Sequence, residues 1–275
     1  MEAENFRITL GNKGSVAGTS HGNGTRLLLC FHGYGQSRKL FLPLLQTVPE
    51  GWRVVTIDLI FFGESEWADE REPVSPSDWD EFLRQLLEKY PSTEVHFLAF
   101  SLGAKVALSL YQATKIPIRQ MILISPDGLR IHPLYRFCIY NPVGKALFYT
   151  VLRWPGLFLL FIRMLYQLRI TDAFKYKFIQ RQFDTPEKRV LLRRVWRGHS
   201  KLRPDLEVIA QRSTEVGTNW HIIWGAHDNI LQVNLCKDFI QKVNGAKLHV
   251  VDGGHFLLNP PHEEVKSLLH EILNA

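Results

Sequence analysis

The chain has few cysteines and lacks the segments that direct a protein into or across a membrane. Its three cysteines, Cys30, Cys138 and Cys236, are far apart and form no C-x-x-C pair, so neither a disulfide framework nor a zinc ribbon is indicated. The first five residues are acidic where a secretory signal is basic and then apolar. No charge-free apolar run reaches the roughly 18 residues of a membrane-spanning helix. We therefore expect a cytoplasmic protein that is neither exported nor transmembrane.

Phosphate-binding and metal-binding motifs are also missing. Neither G-x-G-x-x-G nor G-x-x-x-x-G-K-[ST] occurs, so the sequence gives no sign of a nucleotide cofactor. There is no H-E-x-x-H, and His96, His221 and His249 stand singly within predicted strands. We expect chemistry that needs no cofactor and no metal.

Positive charge is concentrated in one part of the chain. Residues 130–204 carry sixteen Lys and Arg against three Asp and Glu, a net charge of +13, which leaves −7 for the remainder of a chain whose total is +6. No DNA- or RNA-binding motif accompanies this charge, so we expect no nucleic-acid partner. Three interpretations stay open: a solvated helical face, attraction of an anionic or thioester substrate, or peripheral contact with an acidic membrane surface.

Short apolar segments alternate with segments of helical period, which is typical of an α/β protein with a mostly parallel sheet. Two of the apolar segments read as strands buried on both faces, which places them at the centre of the sheet. The predicted strands are 5–10, 25–31, 53–58, 94–100, 119–124, 219–224 and 247–252. The predicted helices of the body are 38–47, 77–89, 102–114, 233–243 and 262–274, the second of them capped at residues 75–78.

The strand signal disappears between about residues 128 and 210, where helical segments rich in Arg, Phe, Leu and Trp follow one another. We therefore expect an α/β core formed by residues 1–127 and 210–275, with a helical cap at 128–209. The most apolar stretch of this cap, 154–162, is too short to span a bilayer and lies between Arg153 and Arg163, so it reads as a packed or interfacial helix. We expect the cap to have an apolar underside above the site and a basic outer face.

Ser101 is the candidate nucleophile. It lies in Ala-Phe-Ser-Leu-Gly at 99–103, where a buried strand gives way to a helix, and the small residues Ala99 and Gly103 leave room for a strained turn that exposes the hydroxyl. The helix that follows directs its first N–H groups toward the same place, where they would stabilise an oxyanion. Since serine between small residues also occurs in ordinary helix caps, this pattern needs partners elsewhere in the chain.

A second backbone donor is expected after the strand 25–31. The loop Gly-Tyr-Gly at 33–35 would direct an N–H group at the oxygen that the N–H of Leu102 also reaches, so Tyr34 and Leu102 are the predicted oxyanion donors. The alternative is that the glycines only make a tight turn. The neighbouring His32 is interpreted as a structural residue that orients the loop.

An acid and a histidine follow the last two strands. Asp228 comes after the strand 219–224, and His255 comes after the strand 247–252 on a Gly-rich loop. A serine hydroxyl needs an imidazole to take its proton, and the imidazole needs a carboxylate to fix its tautomer and stabilise its charged form. We therefore predict His255 as general base and Asp228 as the orienting acid. Asp127, at the end of the strand 119–124, is the alternative acid, although Asp-Gly at 127–128 also suits a turn.

The sequence resembles the α/β-hydrolase superfamily, in the branch that carries a helical cap, over about residues 25–127 and 210–274. Two features depart from the family pattern: Ala99 replaces the usual first glycine of the elbow, and Ile60-Phe61 stand where the family often has Pro-Gly or Arg-Gly. The resemblance rests on His-Gly-Tyr-Gly at 32–35, Asp58 with Gly63 and Ser65, residues 99–103, residues 225–228 and Gly254-His255.

The resemblance implies an α/β-hydrolase fold, with the cap inserted after the sixth strand, and a serine hydrolase. The expected partner is a small carboxylic ester or thioester with a hydrophobic acyl or aromatic group, for which we predict contacts with Phe100, Phe62 and Phe256. Phe61 or Phe62 would lie either near the pocket mouth or in the core. Carbon–carbon bond hydrolysis, acyl transfer and a non-catalytic binding protein of the same fold stay open, as does the oligomeric state.

Overall fold

The computed structural model describes residues 2–274 and contains a nine-stranded sheet. The spatial order is β1-β2-β4-β3-β6-β7-β8-β9, and the short strand β5 pairs with β2. The strands from β4 and β3 through to β9 pair in parallel, whereas β2 pairs antiparallel with β1, β4 and β5. The strands are β1 (Ala3–Leu10), β2 (Gly14–His21), β3 (Arg26–Phe31), β4 (Trp52–Ile57), β5 (Glu66–Trp67), β6 (Glu94–Phe100), β7 (Ile118–Ile124), β8 (Asn219–Gly225) and β9 (Lys247–Val251).

Helices connect the strands along the chain, as is typical of an α/β protein. Two 3₁₀ helices, Arg38–Thr47 and Val233–Cys236, accompany them. The α-helices are α1 (Pro76–Lys89), α2 (Leu102–Ala113), α3 (Pro133–Tyr140), α4 (Pro142–Arg153), α5 (Pro155–Gln167), α6 (Ala173–Phe183), α7 (Pro186–Gly198), α8 (Leu206–Val216), α9 (Lys237–Lys242) and α10 (Glu263–Asn274).

The two strands predicted to be buried on both faces, β6 and β7, lie side by side in the middle of the sheet, as predicted. Residues Val95–Phe100 of β6 are all buried, because helices pack on both sides of a parallel sheet. The predicted cap of α1 is also confirmed: Ser75 Oγ accepts from the N–H of Asp78, and the Asp78 carboxylate accepts from the N–H of Ser75 at 2.7 Å. The turn at residue 101 follows directly on β6.

Strand β2 is not among the predicted strands. Its residues are mostly small or polar, so they carry no apolar alternation, yet the strand is paired on both sides, by β1 and by β4. At Gly18 a Cβ atom would lie 2.4 Å from the ring of Phe6, so glycine allows that ring to lie against the backbone. Long-range pairing therefore determines this strand.

The chain divides into two compact units, which are described separately. The described part of the first unit spans residues 2–68, 75–130 and 202–274, and the second comprises 69–74 and 131–201. These boundaries differ from the sequence-based limits of 128 and 209, because α8 belongs to the first unit: Arg212 donates to the carbonyl of Ile116 at 2.9 Å. The second unit follows β7, the seventh strand rather than the sixth, because the two-residue strand β5 adds one to the count.

The second unit is helical and is held together by aromatic and polar contacts. The rings of Phe148 and Trp196 stack with centroids 4.9 Å apart, and the Tyr135 hydroxyl donates to the carbonyl of Trp196 at 3.0 Å. Within residues 2–274 no single helix is long and apolar enough to cross a membrane. Helices α4 and α5 are long and apolar enough only when taken together, and the chain bends by 96° between them.

Candidate active site

Ser101 occupies a strained turn between β6 and α2. Its backbone has φ 51° and ψ −119°, a region that side chains with a Cβ atom rarely occupy. The neighbouring strand holds this conformation, because the N–H of Ser101 donates to the carbonyl of Ile124 at 3.0 Å. The carbonyl of Ser101 in turn accepts from the N–H groups of Ala104 and Asp127, at 2.9 and 3.0 Å. The predicted sharp turn is confirmed.

The small residues on either side of this turn have a steric reason. A Cβ atom at Gly103 would lie 2.1 Å from the carbonyl oxygen of Phe31 and 2.7 Å from that of His32, so α2 passes directly over the end of β3. Ala99 is completely buried in β6, where its Cβ atom is accommodated. The alanine that departs from the family pattern therefore fits without loss of the turn.

His255 lies beside the serine hydroxyl. Its Nε2 is 3.0 Å from Ser101 Oγ, and its Nδ1 is 2.7 Å from Asp228 Oδ2. Since the carboxylate accepts the proton of Nδ1, the Nε2 lone pair is left to accept the serine proton. The imidazole is only 5% exposed, which keeps this arrangement largely out of water.

The Asp228 carboxylate is fully buried, and both of its oxygens accept hydrogen bonds. Besides the imidazole on Oδ2, the N–H groups of Ile230 and Leu231 both donate to Oδ1 at 2.8 Å. These two amides could not be named from the sequence, although an Asp that starts a turn commonly accepts such bonds. Asp127, the alternative acid, is occupied elsewhere: its Oδ1 accepts from the N–H of Gly128 at 2.7 Å. Of the two aspartates, Asp228 is the one that contacts His255.

The loop after β3 lies against the same end of the sheet, because β3 pairs with β6. His32 orients it, as predicted: its Nε2 accepts from the N–H of Leu59 at 3.0 Å, so its Nδ1 carries the proton and donates to the carbonyl of Gly33 at 2.7 Å. Burial lowers the pKa of His32 to about 4, which keeps the ring neutral. Leu102 is the first residue of α2, so its N–H has no carbonyl one turn earlier in the helix to bond.

Comparison with known proteins identifies the family of the chain. The model of the alpha/beta hydrolase fold family matches residues 26–259, which is most of the chain. The chain belongs to this family. No match was found among curated proteins.

Three solved structures illustrate the likeness, all below 20% identity, at which the similarity shows the fold alone. A hydrolase from Pseudomonas aeruginosa PA01 has 16% identity and a TM-score of 0.69, with 98% of each chain covered. A thermophilic esterase from Thermogutta terrifontis has 18% identity and a TM-score of 0.68, again with 98% of each chain covered. The thioesterase domain from the curacin biosynthetic pathway has 16% identity and a TM-score of 0.63, covering 98% of this chain and 99% of its own.

The three phenylalanines predicted to contact substrate occupy different settings in this α/β hydrolase. Phe100 is 2% exposed and belongs to the core, with its ring centroid 5.4 Å from that of His255. Phe62 is also buried, edge-on to His32 and to Tyr34. Both rings are almost fully buried in this structure, and their contact with a substrate stays a prediction. Phe256 is half exposed and lies edge-on to the imidazole at 5.3 Å.

Two histidines expected to stand alone are in fact paired. His221 on β8 and His249 on β9 stack, with Nδ1 of the first 3.2 Å from Nε2 of the second. Burial, together with the charge of His249, lowers the pKa of His221 to about 4. Across residues 2–274 no group of three or more His, Cys, Asp or Glu is arranged to hold a metal ion. The pair is a feature of the sheet edge rather than part of the site around Ser101.

Proposed function

We propose that this α/β hydrolase is a serine hydrolase that cleaves a carboxylic ester or thioester, with Ser101 as nucleophile, His255 as general base and Asp228 as orienting acid. The observation that carries the proposal is the continuous chain of hydrogen bonds from the Ser101 hydroxyl through the imidazole to a buried carboxylate. A carboxylate in this place holds the imidazole in the tautomer that can accept a proton and stabilises the imidazolium that forms.

The proposed reaction proceeds in two acyl-transfer steps. Ser101 Oγ attacks the carbonyl carbon while its proton moves to His255 Nε2, and the carbonyl oxygen becomes an oxyanion. The N–H groups of Tyr34 and Leu102 are the proposed donors to that oxygen. His255 then gives the proton to the departing alcohol or thiol, which leaves an acyl-enzyme. Water, deprotonated by His255, releases the carboxylic acid and regenerates the serine.

The proposed substrate has a hydrophobic acyl or aromatic group. Phe256 supports this choice, because half of its surface is exposed beside the catalytic imidazole and can contact an apolar substituent. The names of similar structures agree with the reaction class, since they include an esterase and a thioesterase domain. We take the class from these proteins as a proposal for the present chain.

Turnover of a panel of esters and thioesters of graded chain length tests the proposal. Ser101→Ala should lower kcat by about four to six orders of magnitude, because the residual site can only bind and polarise the substrate. Ser267→Ala, which removes an exposed hydroxyl on α10, is the matched control and should leave turnover unchanged. Turnover by Ser101→Ala that equals the wild-type rate would overturn the proposal, as would a folded wild-type protein that hydrolyses no member of the panel.

A further inference from the structure

Helices α4 and α5 of the second unit expose an unusual number of large apolar side chains. Each is between 50% and 83% exposed, whereas monomeric soluble proteins rarely leave large apolar groups together in water. We call these residues the apolar surface. It consists of Val143, Leu147, Trp154, Leu157, Leu160 and Phe161.

Helix α5 is apolar on two opposite faces. On one face Ile162 is buried, and Phe158 packs against Phe183 with ring centroids 4.9 Å apart, which accounts for the attachment of the helix to its unit. On the other face Leu157, Leu160 and Phe161 follow the i, i+3, i+4 spacing and point to solvent. A helix that is apolar on both faces gains by covering the second one.

Helix α4 and the bend between the helices also carry exposed apolar side chains. Val143, Leu147 and Trp154 are spaced by four and seven residues, so they fall on one side of that segment. Tryptophan combines an apolar ring with an N–H donor and is enriched where hydrocarbon meets water. The bend therefore presents the residue type that favours a membrane interface.

The charge around the apolar surface is positive. Residues 131–183 contain eight Lys and Arg and one acidic residue, Asp172. Among the ion pairs of residues 2–274, only that between Lys175 and Asp172 involves this segment, so the carboxylates of the described residues form no ion pair with its other cations. The Arg153 guanidinium lies over the Trp154 ring at 5.3 Å, and Lys145 and Arg163 are also exposed. Long basic side chains beside apolar groups can reach headgroups while their stems stay in hydrocarbon.

The shape of α4 and α5 excludes a straight membrane-spanning helix, and the charge around them disfavours self-association. Helix α5 has 13 residues, about 20 Å of length, against about 30 Å of bilayer hydrocarbon. The 96° bend prevents α4 and α5 from forming one straight helix. A symmetric contact with a second copy would bring the same uncompensated cations together, because both partners use the same patch. An anionic, deformable apolar phase fits both the charge and the side chains.

We propose that the second unit binds peripherally to membranes that contain anionic lipids. Helices α4 and α5 lie in the interface plane, with Trp154, Leu157 and Leu160 inserted at the headgroup–acyl boundary and Arg153 and Arg163 at the lipid phosphates. This inference concerns a surface of the second unit and does not depend on the chemistry proposed for Ser101.

Cosedimentation of the full chain with sucrose-loaded vesicles tests the proposal. Vesicles of phosphatidylcholine alone are compared with vesicles that contain about 30% phosphatidylglycerol, enough to give a marked negative surface potential. We expect the protein to bind the anionic vesicles about tenfold more tightly or better, and we expect salt to weaken that binding because the attraction is screened. Equal binding to both vesicles, or none to either, would overturn the proposal.

Paired variants distinguish insertion of the apolar surface into the membrane from nonspecific binding to vesicles. Leu157→Asn with Leu160→Asn should weaken binding to anionic vesicles about tenfold or more, since two side chains no longer leave water. Leu248→Asn with Val250→Asn is the matched control, because these residues are exposed apolar side chains on β9 of the first unit, and it should bind like wild type. Far-ultraviolet circular dichroism and thermal unfolding establish that both pairs fold. A loss of binding that is equal in the two pairs contradicts the proposed location.

Trp154 provides a direct measure of depth. Brominated lipids should quench part of the tryptophan fluorescence of the bound wild-type protein, and Trp154→Phe should abolish that quenching while the protein still sediments with vesicles. Light scattering supplies the remaining outcome: a wild-type dimer that the Leu157/Leu160 variant converts to a monomer would assign the surface to self-association and refute membrane insertion.

Discussion

Replacing Ser101 by glycine and by alanine measures the strain stored at the proposed nucleophile. Both substitutions remove the hydroxyl and its hydrogen bond to His255, so the two variants differ only in the Cβ atom. At φ 51° that atom costs about 1–3 kcal/mol. Glycine is more flexible than alanine in the unfolded chain, and this flexibility lowers the free energy of unfolding of the glycine variant by about 0.5–1 kcal/mol. We expect Ser101→Gly to unfold with a free energy about 1 kcal/mol higher than Ser101→Ala.

Urea denaturation and thermal unfolding at pH 7.5 are the assays, and a difference of this size corresponds to a Tm higher by about 2–4 °C for a chain of this length. Ser109, in the regular part of α2, provides the matched control pair. There the order should reverse, with the glycine variant less stable by about 1 kcal/mol, because no strain is relieved in a helix interior. Equal stability of the two Ser101 variants, or a less stable glycine variant, would refute the strained turn.

Three further predictions follow from the same contacts. Asp228→Asn should lower kcat by about 10⁴ with little change in KM, because an amide no longer selects the tautomer of His255; kcat within tenfold of wild type would contradict this. Gly103→Ala should destabilise the protein by about 3 kcal/mol, since its Cβ atom meets a backbone carbonyl, whereas Gly156→Ala, with nothing within 4 Å, should not destabilise it in urea unfolding. The pKa of His32 is about 4 in the folded protein, below its ordinary value, so the unfolded chain takes up the proton first as pH falls from 7 to 4. The free energy of unfolding of wild type should therefore fall by about 3 kcal/mol more over this range than that of His32→Asn. A stability difference between these two proteins that is independent of pH would show that the buried imidazole is not the cause.

The sheet could be predicted from the sequence where burial alone determines a strand. Strands 94–100 and 118–124 consist mostly of apolar residues, as strands covered on both faces do, and this composition can be recognised in the sequence. Strand β2 could not be recognised, because its small and polar residues become buried only through pairing with β1 and β4. Similarly, α8 was assigned in part to the insertion, since its contacts with the loop at Ile116 are remote in sequence.

The hydrogen-bonded chain at the site could be predicted because topology brings its members together. Ser101, Asp228 and His255 each follow the carboxyl end of a parallel strand, and such ends meet at one edge of the sheet. The side chains that contact a substrate are harder to predict from the sequence, because the direction of a side chain depends on packing. Phe100 is the last residue of β6 and directly precedes the proposed nucleophile, and its ring packs in the core.

Covalent labelling by a fluorophosphonate tests most directly whether Ser101 is an activated nucleophile. A serine hydroxyl displaces fluoride from the phosphorus at a useful rate only when a base takes its proton and donors stabilise the negative charge that develops on the phosphoryl oxygen in the transition state. Intact mass spectrometry should show one adduct per chain, and peptide mapping should locate it on Ser101, with no adduct on Ser101→Ala. A folded wild-type protein that takes up no label, or an adduct that maps to another residue, would contradict the proposed chemistry.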